Sequence, residues 1–422
     1  MAAAQTHLLV ESPRPGDCNK YELSMTLKGE LRVSRDGKTV PIPISASAEH
    51  RFVERILEAK EKGLPEKVAR YYEQARSNVT VEGSVIARQV REQRRLIVAQ
   101  RPHDEFLCYS PAGPMTREEI ELVGEHFDTL TLTGLLPQGE VKTGDTWKIR
   151  NESVQALCQF DALISHELTG KLEEVADGFA SITIGGKASG IELGALTKIT
   201  VSGKVRYEIL PKRIVSVEWT QKDERDQGPA SPAGTIEATT IVKRSSTDQP
   251  KELTDSALES VPPGLEAPSA LTLVYHRDAQ SRYDVAVARE WHLVAQTDQH
   301  LVLRLIDRGD LIAQVSLTAW TKADAGKHLS SGEIKDIVSA APGWQLEEVL
   351  ESSEVPADNG RWIYRISARG TMEDVKVIQT VYVIADPSGE QVIATFTMKP
   401  GQIAKLGSRD LTLVGSIGFP KK

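Results

Sequence analysis

Residues 247–268 read TDQPKELTDSALESVPPGLEAP, and the reading of this stretch decides the fold. It holds four prolines (Pro250, Pro262, Pro263 and Pro268), five acidic residues and one lysine. Proline fixes φ and offers no backbone donor, so the segment pairs poorly in a sheet and propagates poorly as a helix. A helical turn at Ala257–Glu259 suits the residues, but the scattered apolar positions offer no core. We read the segment as an exposed tether between two folded domains, because structureless loops of this length are uncommon inside a compact fold. The alternative is a long loop inside one domain. The tether reading divides the chain into residues 15–246, a linker at 247–268 and residues 269–422.

A length of 422 residues suits two or three domains, and 40% hydrophobic residues supply ordinary globular cores. The net charge of −8 argues against nucleic acid as a partner, because phosphate binding needs a concentrated positive field. No stretch approaches about 18 consecutive apolar residues, so no transmembrane segment is expected. Cys18, Cys108 and Cys158 lie far apart, without a CxxC pair or a zinc-type histidine pattern. They allow one disulfide at most; three unpaired thiols in apolar surroundings are the other reading. The opening MAAAQTHLL lacks the basic and apolar regions of an intact export signal. Ala2-Ala3-Ala4 before Gln5 has the small-residue pattern found at the end of one. The expectation is therefore an extracytoplasmic protein, periplasmic or in the cell envelope, whose signal is missing from this chain.

Upstream of the proline-rich stretch the text is mostly strand. Tyr21, Leu23, Met25 and Leu27 alternate with polar residues, and Leu31 and Val33 resume the run after Gly29. Arg35-Asp36-Gly37-Lys38 is a hairpin signal. Pro41 and Pro43 place the next strand, Val40–Ile44, at an edge or bulge. His50–Lys60 is ambiguous, and Lys67–Arg76 is helical in composition, although Tyr71 and Tyr72 also suit a sheet. Arg88, Arg91, Arg94, Arg95 and Arg101 mix odd and even spacing, so they read as a solvated sheet face and not an anion strip. Thr116 and Glu119 make a capping box for a short helix carrying Ile120, Val123, His126 and Phe127. Strands are expected at 155–163, 166–175, 179–189, 197–209, 213–219 and 236–243. Gly185-Gly186, Gly190 and Gly194 suit a bent or bulged sheet. The expected fold class is α+β, with this half a large curved antiparallel sheet, half-open or closed as a barrel. Leu135-Leu136-Pro137, Val141 and Gly144-Asp145-Thr146-Trp147 resemble a segment of uncharacterised secreted or lipid-anchored bacterial β-rich domains. That resemblance spans residues 15–245 and implies no activity.

Downstream, Asp307-Arg308-Gly309-Asp310 is a turn, and Ala313, Val315, Leu317 and Ala319 alternate with polar residues. Ser330 and Glu333 form a second capping box, opening a helix that Pro342-Gly343 stops. Strands follow at 344–351, 362–368, 375–384 and 391–398, with a closing helix at 402–417. The order, with Trp291 opening REWHLV, the capped helix at 330–341, RWIYRISARG (361–370) and LVGSIGF (413–419), resembles the Mog1/PsbP-like α/β/α sandwich, DcrB-type members most of all. The resemblance covers residues 270–420 and implies an antiparallel sheet between helices, in a family of binding and assembly factors. It carries over no site residue.

Chemistry is sparse. Cys158, Asp161 and His166 tempt one towards a Cys–His nucleophile pair, but a lone cysteine beside Ala156-Leu157 reads as core. Asp128-Thr129 is followed by Leu130, so it lacks the glycine of an aspartic-protease loop. No GxSxG, HExxH or Walker loop occurs, and the glycines near 185–194 precede strands, so they cradle no phosphate. The nine histidines show no metal spacing, and the six tryptophans sit in or beside expected strands. No catalytic, cofactor-binding or metal residue is assigned, no cofactor is expected, and the chain is read as not an enzyme. The leading expectation is a binding or assembly protein whose partner is another protein, docked by the 269–422 domain. The alternative is a carrier that encloses a lipophilic small molecule in the N-terminal sheet. Whether that sheet is packed or hollow separates the two.

Overall fold

The structure, a computed structural model, describes residues 5–420 except 36, 61–62, 103–104, 125–126, 230, 308–309 and 342. Asp36, His126, Arg308, Gly309 and Pro342, named above for their turns and helix, therefore lie outside the described residues. Strands take up 57% and helices 14%, in antiparallel sheets of which, among the described residues, none is closed. The half-open form, and not the barrel, is thus the one present, and the protein is mostly β. The chain divides into two compact units, Met1–Thr272 and Leu273–Lys422.

In the first unit the strands are β1 (Thr6–Leu9), β2 (Cys18–Arg35), β3 (Lys38–Ala59), β4 (Pro65–Val81), β5 (Ser84–Gln89), β6 (Leu96–Gln100), β7 (Leu107–Tyr109), β8 (Met115–Thr116), β9 (Gly139–Lys142), β10 (Thr146–Lys148), β11 (Ala162–His166), β12 (Thr169–Ala176), β13 (Phe179–Glu192), β14 (Ala195–Glu208), β15 (Arg213–Arg225) and β16 (Ala233–Ser246). Helices α1 (Arg117–Gly124), α2 (Asn151–Leu157) and α3 (Ser269–Thr272) punctuate them. One sheet dominates, in the order β10-β12-β13-β14-β15-β16-β2-β3-β4-β6-β7, with β11 added to β13 and β5 to β4. The pairing of β16 with β2 joins the two ends of the unit. Pro41 and Pro43 pair with β2 on one side, while β4 reaches β3 only from Ile44 onward. The prolines thus occupy a local edge, where a missing donor costs nothing. At Gly186 (φ 142) β13 changes partner from β12 to β11, and a Cβ there would meet the Glu167 carbonyl at 2.4 Å.

One face of the sheet is packed by the segment between β7 and β11. Its capping box forms as expected: the Glu119 amide donates to Thr116 Oγ1 (3.3 Å) and the Thr116 amide to Glu119 Oε2 (3.0 Å). The following 3-10 run, Thr129–Leu135, is wholly buried and begins at Asp128, whose side chain accepts from the Leu130 amide. Its Leu132 and Leu135 join Phe127, Leu157 and Phe160 against Tyr21, Phe52 and Trp219 of the sheet. Of residues 155–163, expected as a strand, 155–157 instead finish α2 with Cys158 as its C-terminal cap, and only 162–163 enter a strand, β11.

The proline-rich stretch is not an exposed tether along its length. Leu253 is fully buried, and Leu253, Leu258 and Val261 cover Val53, Leu57, Ala69, Tyr71 and Leu96 on the other face of the sheet. Side chains hold its carbonyls: Arg55 donates to Leu253 O (2.8 Å), Gln100 to Leu265 O (2.6 Å), and the buried Lys67 ammonium to Pro262 O and Gly264 O. Each buried Leu or Val contributes about 1.5–3 kcal/mol. Leu253 and Leu258, with the half-buried Val261, thus anchor a segment whose regular structure is one 3-10 turn, Lys251–Leu253. This strap also explains the helical look of residues 50–60 and 67–76, which are strands. Both of their faces are covered, so the alternation that marks a half-exposed strand is lost.

The second unit holds β17 (Val274–Arg277), β18 (Asp284–Val287), β19 (Trp291–Gln296), β20 (His300–Asp307), β21 (Asp310–Trp320), α4 (Ser331–Ser339), β22 (Trp344–Val355), β23 (Trp362–Met372), β24 (Val375–Ala385), β25 (Gln391–Met398), α5 (Ile403–Leu406) and α6 (Arg409–Gly415). The sheet order is β19-β20-β21-β25-β24-β23-β22. The Ser330/Glu333 capping box is present, and α4 packs Ile334 and Val338 on Tyr364, Ile366, Val381 and Val383. Tyr382 points the other way and donates to Asp410 of α6 at 2.7 Å, both buried. The sheet therefore carries helices on both faces. The closing helix expected at 402–417 is broken at Gly407 (φ 60) into α5 and α6.

Candidate functional site

The register of the long strands lays out the packed face of the first sheet as rows. Tyr21, Phe52 and Tyr72 stand in one row on β2, β3 and β4, with ring centroids 4.9 Å apart at each step. Two residues further along, Val242, Leu23, His50 and Ala75 form the next row, all buried. Next come Trp219, Thr240, Met25, Ala48, Ser77 and Arg88. Here the internal packing stops: α1 is clamped to this row by Arg88 on Glu121 (2.7 Å) and Arg91 on Glu119 (2.6 Å).

Beyond it the same face continues, apolar and for the most part half-buried, with Ile42 buried and Ile86 exposed. Ala238, Leu27, Ala46, Val79 and Ile86 align across β16, β2, β3, β4 and β5. Ile86 is 48% exposed, and the other four are half-buried. Ile236, Ile44 and Val81 form the next row with Gly29 between them, and Leu31 with Ile42, then Val33 with Val40, complete the face. The opposite face of these strands carries Lys28, Glu30, Ser45, Ser47 and Asn78, all exposed. Alternation that clean normally marks a face turned to a core. At about 4.8 Å between strands and 6.6 Å between rows, the region runs roughly 20 Å along the strands and narrows from roughly 20 Å across in its first row to about 5 Å in its last. Gly29 is required in it, since a Cβ there would stand 2.2 Å from the Thr235 carbonyl of the neighbouring strand.

On β15 the rows turn polar. Gln221 is level with Ala238 and Asp223 with Ile236, while Arg225 pairs with Gly234. Asp223 accepts from Gln221 (3.1 Å), and its Oδ1 is shielded from water without a hydrogen-bond partner. Burial pushes this carboxyl up to about 7; the Gln221 hydrogen bond and Arg225 oppose the rise and Glu192 adds to it. Arg225 donates to Glu192 at 3.0 Å, yet burial still raises Glu192. Asp161, next in line, is raised by burial and accepts from the Leu193 amide at 2.7 Å.

A separate cleft of about 790 Å³ opens at the far end of the sheet, lined by Tyr21, Glu54, Thr129, Glu11 and Arg244 among others. Its buried charges are paired internally. Arg70 donates to Glu54 (2.9 Å) and Thr129 (2.8 Å), and Arg244 to Glu11 and to Ile214 O (3.0 Å).

The residues considered for nucleophilic chemistry are each engaged elsewhere. His166 Nε2 lies 2.9 Å from Asn151, and its Nδ1 accepts from the Leu168 amide at 3.1 Å. Burial, with Asp223 adding, pushes the Cys158 thiol far up, which removes the thiolate that nucleophilic attack needs. Cys18, Cys108 and Cys158 are all buried, and none of the three is in a disulfide. The arginines read as a solvated face are instead mostly committed, Arg88 and Arg91 as above and Arg101 to Asp128. Asp223, Glu192 and the row residues went unnoticed as a group because only the register brings them together. The one sequence signal was the alternation from Tyr21 to Val33, which continues past the filling.

No family model and no curated protein matches the chain. Among solved structures, it is similar to PsbP (CyanoP) from Synechocystis sp. PCC 6803 over 38% of this chain and 99% of that one, at 14% identity and a TM-score of 0.29. Lipovitellin is similar over 56% of this chain and 26% of its own, at 9% identity and a TM-score of 0.32. The type VI secretion immunity protein TplEi from Pseudomonas aeruginosa is similar over 56% and 72%, at 11% identity and a TM-score of 0.21. At such scores these similarities carry no weight for fold or function, and among the described residues no helix is long and apolar enough to cross a membrane.

Proposed function

We propose that the protein is a non-catalytic binding protein that holds a lipophilic ligand on the uncovered half of the first unit's inner sheet face. The observation that carries this reading is the aliphatic composition of the rows from Leu27 to Val33. From β16 to β4 they present Leu, Ile, Val, Ala and Gly, with polar side chains only at the flanks (Ser84 on β5, Gln221 and Asp223 on β15), whereas protein–protein hot spots centre on Trp, Tyr and Arg. A ligand that covers about 300 Å² of this face gains on the order of 7 kcal/mol, before the cost of association. The test is binding of an uncharged fluorescent alkyl probe to the native chain and to a Leu27→Arg, Ile44→Arg double variant. The expected result is a blue-shifted, saturable signal that the double variant loses while its near-UV circular dichroism is unchanged. Equal binding by both proteins refutes the reading.

Docking of a protein partner on the second unit, which we read as a Mog1/PsbP-like sandwich, is the second reading. It is favoured by Val349 and Leu350, 43% and 42% exposed on the edge strand β22. That strand bulges twice, between Leu346 and Glu348 and between Val349 and Glu351, a device that discourages indiscriminate edge pairing. Location outside the cytoplasm belongs to the same proposal, and fractionation of the source cells tests it.

A further inference from the structure

We infer that the cleft of about 790 Å³ in the first unit is a second binding site, for a neutral polyhydroxylated small molecule of the sugar class. The observation that carries this is one carboxylate oxygen. Glu54 is 2% exposed, and its hydrogen bonds from Arg70 (2.9 Å) and Thr129 (3.4 Å) both fall on Oε2. Among the described residues nothing donates to Oε1, and unlike Asp223 Oδ1 this atom is not shut off from solvent. Glu54 lines the cleft, so Oε1 is an acceptor held open to it by an otherwise buried side chain. Register supplies its neighbours. On the side of Tyr21 away from the aliphatic rows, the next row is Ser246, Asn19, Glu54 and Arg70, polar throughout. Asn19 and Glu54 are thus direct cross-strand neighbours, about 5 Å apart at Cβ. The half-buried Asn19 amide also lines the cleft and has no partner among the described residues. The hydroxyls of Tyr21 and Thr133 belong to the same lining, and Ile56 and Leu130 give it an apolar wall.

The charges select among ligands. Arg70 offsets Glu54, Arg244 offsets Glu11 and Glu208 offsets Arg213 (2.9 Å), while Arg14 and Lys212 are matched by Asp17 and Asp248. An ammonium therefore finds no excess negative charge to offset its desolvation. A carboxylate or phosphate brings no donor for Oε1, and an alkyl chain would leave the polar row without hydrogen bonds. A vicinal diol meets both demands: one hydroxyl donates to Glu54 Oε1, its neighbour accepts from the Asn19 amide, and the ring C–H edges rest on Ile56 and Leu130. The volume lies within the range of about 300–1,000 Å³ usual for small-molecule sites.

The experiment is saturation-transfer difference NMR on the full chain with glucose, galactose and mannose, each beside its 2-amino and 6-carboxylate counterparts, repeated on Asn19→Leu and Tyr21→Phe. The expected result is saturable binding of at least one neutral sugar, about tenfold tighter than either of its charged counterparts. Asn19→Leu should weaken that binding about tenfold, with near-UV circular dichroism unchanged. Tyr21→Phe keeps the ring stacked on Phe52 and removes only the hydroxyl, so it should weaken binding severalfold; it decides the matter if Asn19→Leu alters the fold. Binding of no neutral sugar overturns the assignment, as does a charged counterpart that binds equally well. So does a correctly folded Asn19→Leu that binds like the native chain. Because the cleft and the aliphatic rows lie on opposite sides of the Tyr21 row, none of these outcomes bears on the alkyl-binding reading.

Discussion

Replacing Asp223 with asparagine should stabilise the protein, and only at the alkaline end of the pH range. A carboxyl held at about 7 against the ordinary 3.8 keeps a proton in the folded chain that the unfolded chain has already lost. Below about pH 4 both states hold the proton and there is no penalty. The penalty grows as pH rises from about 4 to about 7 and is constant above. A displacement of that size corresponds to on the order of 4 kcal/mol. Asparagine has nearly the same shape, keeps a donor for the buried surroundings and never ionises. At about pH 8.5 the variant should gain up to that amount, or about 8 °C in melting temperature at roughly 2 °C per kcal/mol for a unit of this size. At about pH 4 the two proteins should agree within about 0.5 kcal/mol. Differential scanning calorimetry at both pH values gives the comparison, and groups common to both proteins cancel. A variant with the same advantage at both pH values, or one less stable at about pH 8.5, would refute the account of Asp223 as a buried carboxyl that resists ionisation.

Removing the Lys67 ammonium by Lys67→Ala should leave the Pro262 and Gly264 carbonyls unpaired and loosen the strap; faster protease cleavage within residues 250–268, with the rest of the unit intact, is the expected readout. Glu54→Ala strands the buried Arg70 guanidinium and should cost about 3–5 kcal/mol in urea unfolding, whereas Glu49→Ala, which breaks an exposed pair with Arg76, should leave the unfolding midpoint nearly unchanged. Gly29→Ala drives a methyl into the Thr235 carbonyl and should destabilise by about 1–3 kcal/mol, while Gly139→Ala, with open space around it, should not. Cys158 should resist thiol reagents until the chain unfolds, so labelling kinetics should follow global unfolding.

How much of this was legible in the residues depended on how many faces of each element meet water. The strand from Tyr21 to Val33 could be read because one face is solvated, and both capping boxes because their signals are local. The strands at 50–59 and 67–76 could not, because the strap covers the side that should have been polar. The strap itself was misjudged for a related reason. Its anchors Leu253, Leu258 and Val261 are too sparse to suggest a core, and their partners lie about 200 residues upstream. The filling of the inner face was half visible: α1 was expected, but the buried run Thr129–Leu135 is a 3-10 segment with no periodic signature. Where that filling ends, and so where an aliphatic face is left open beside Asp223, depends on pairings between strands distant in the chain.

The pairing of β16 with β2 has a consequence for biosynthesis. While the chain is being made, β3 covers one edge of β2 almost at once, but the other edge waits for residues 233–246. At about 5–20 residues per second, the roughly 200 residues between them take on the order of 10–40 s to emerge. For that interval the nascent chain displays an open strand edge next to the aliphatic rows of Leu27, Leu31 and Val33. A cell that makes this protein must shield that hairpin until the ribosome has delivered its missing neighbour.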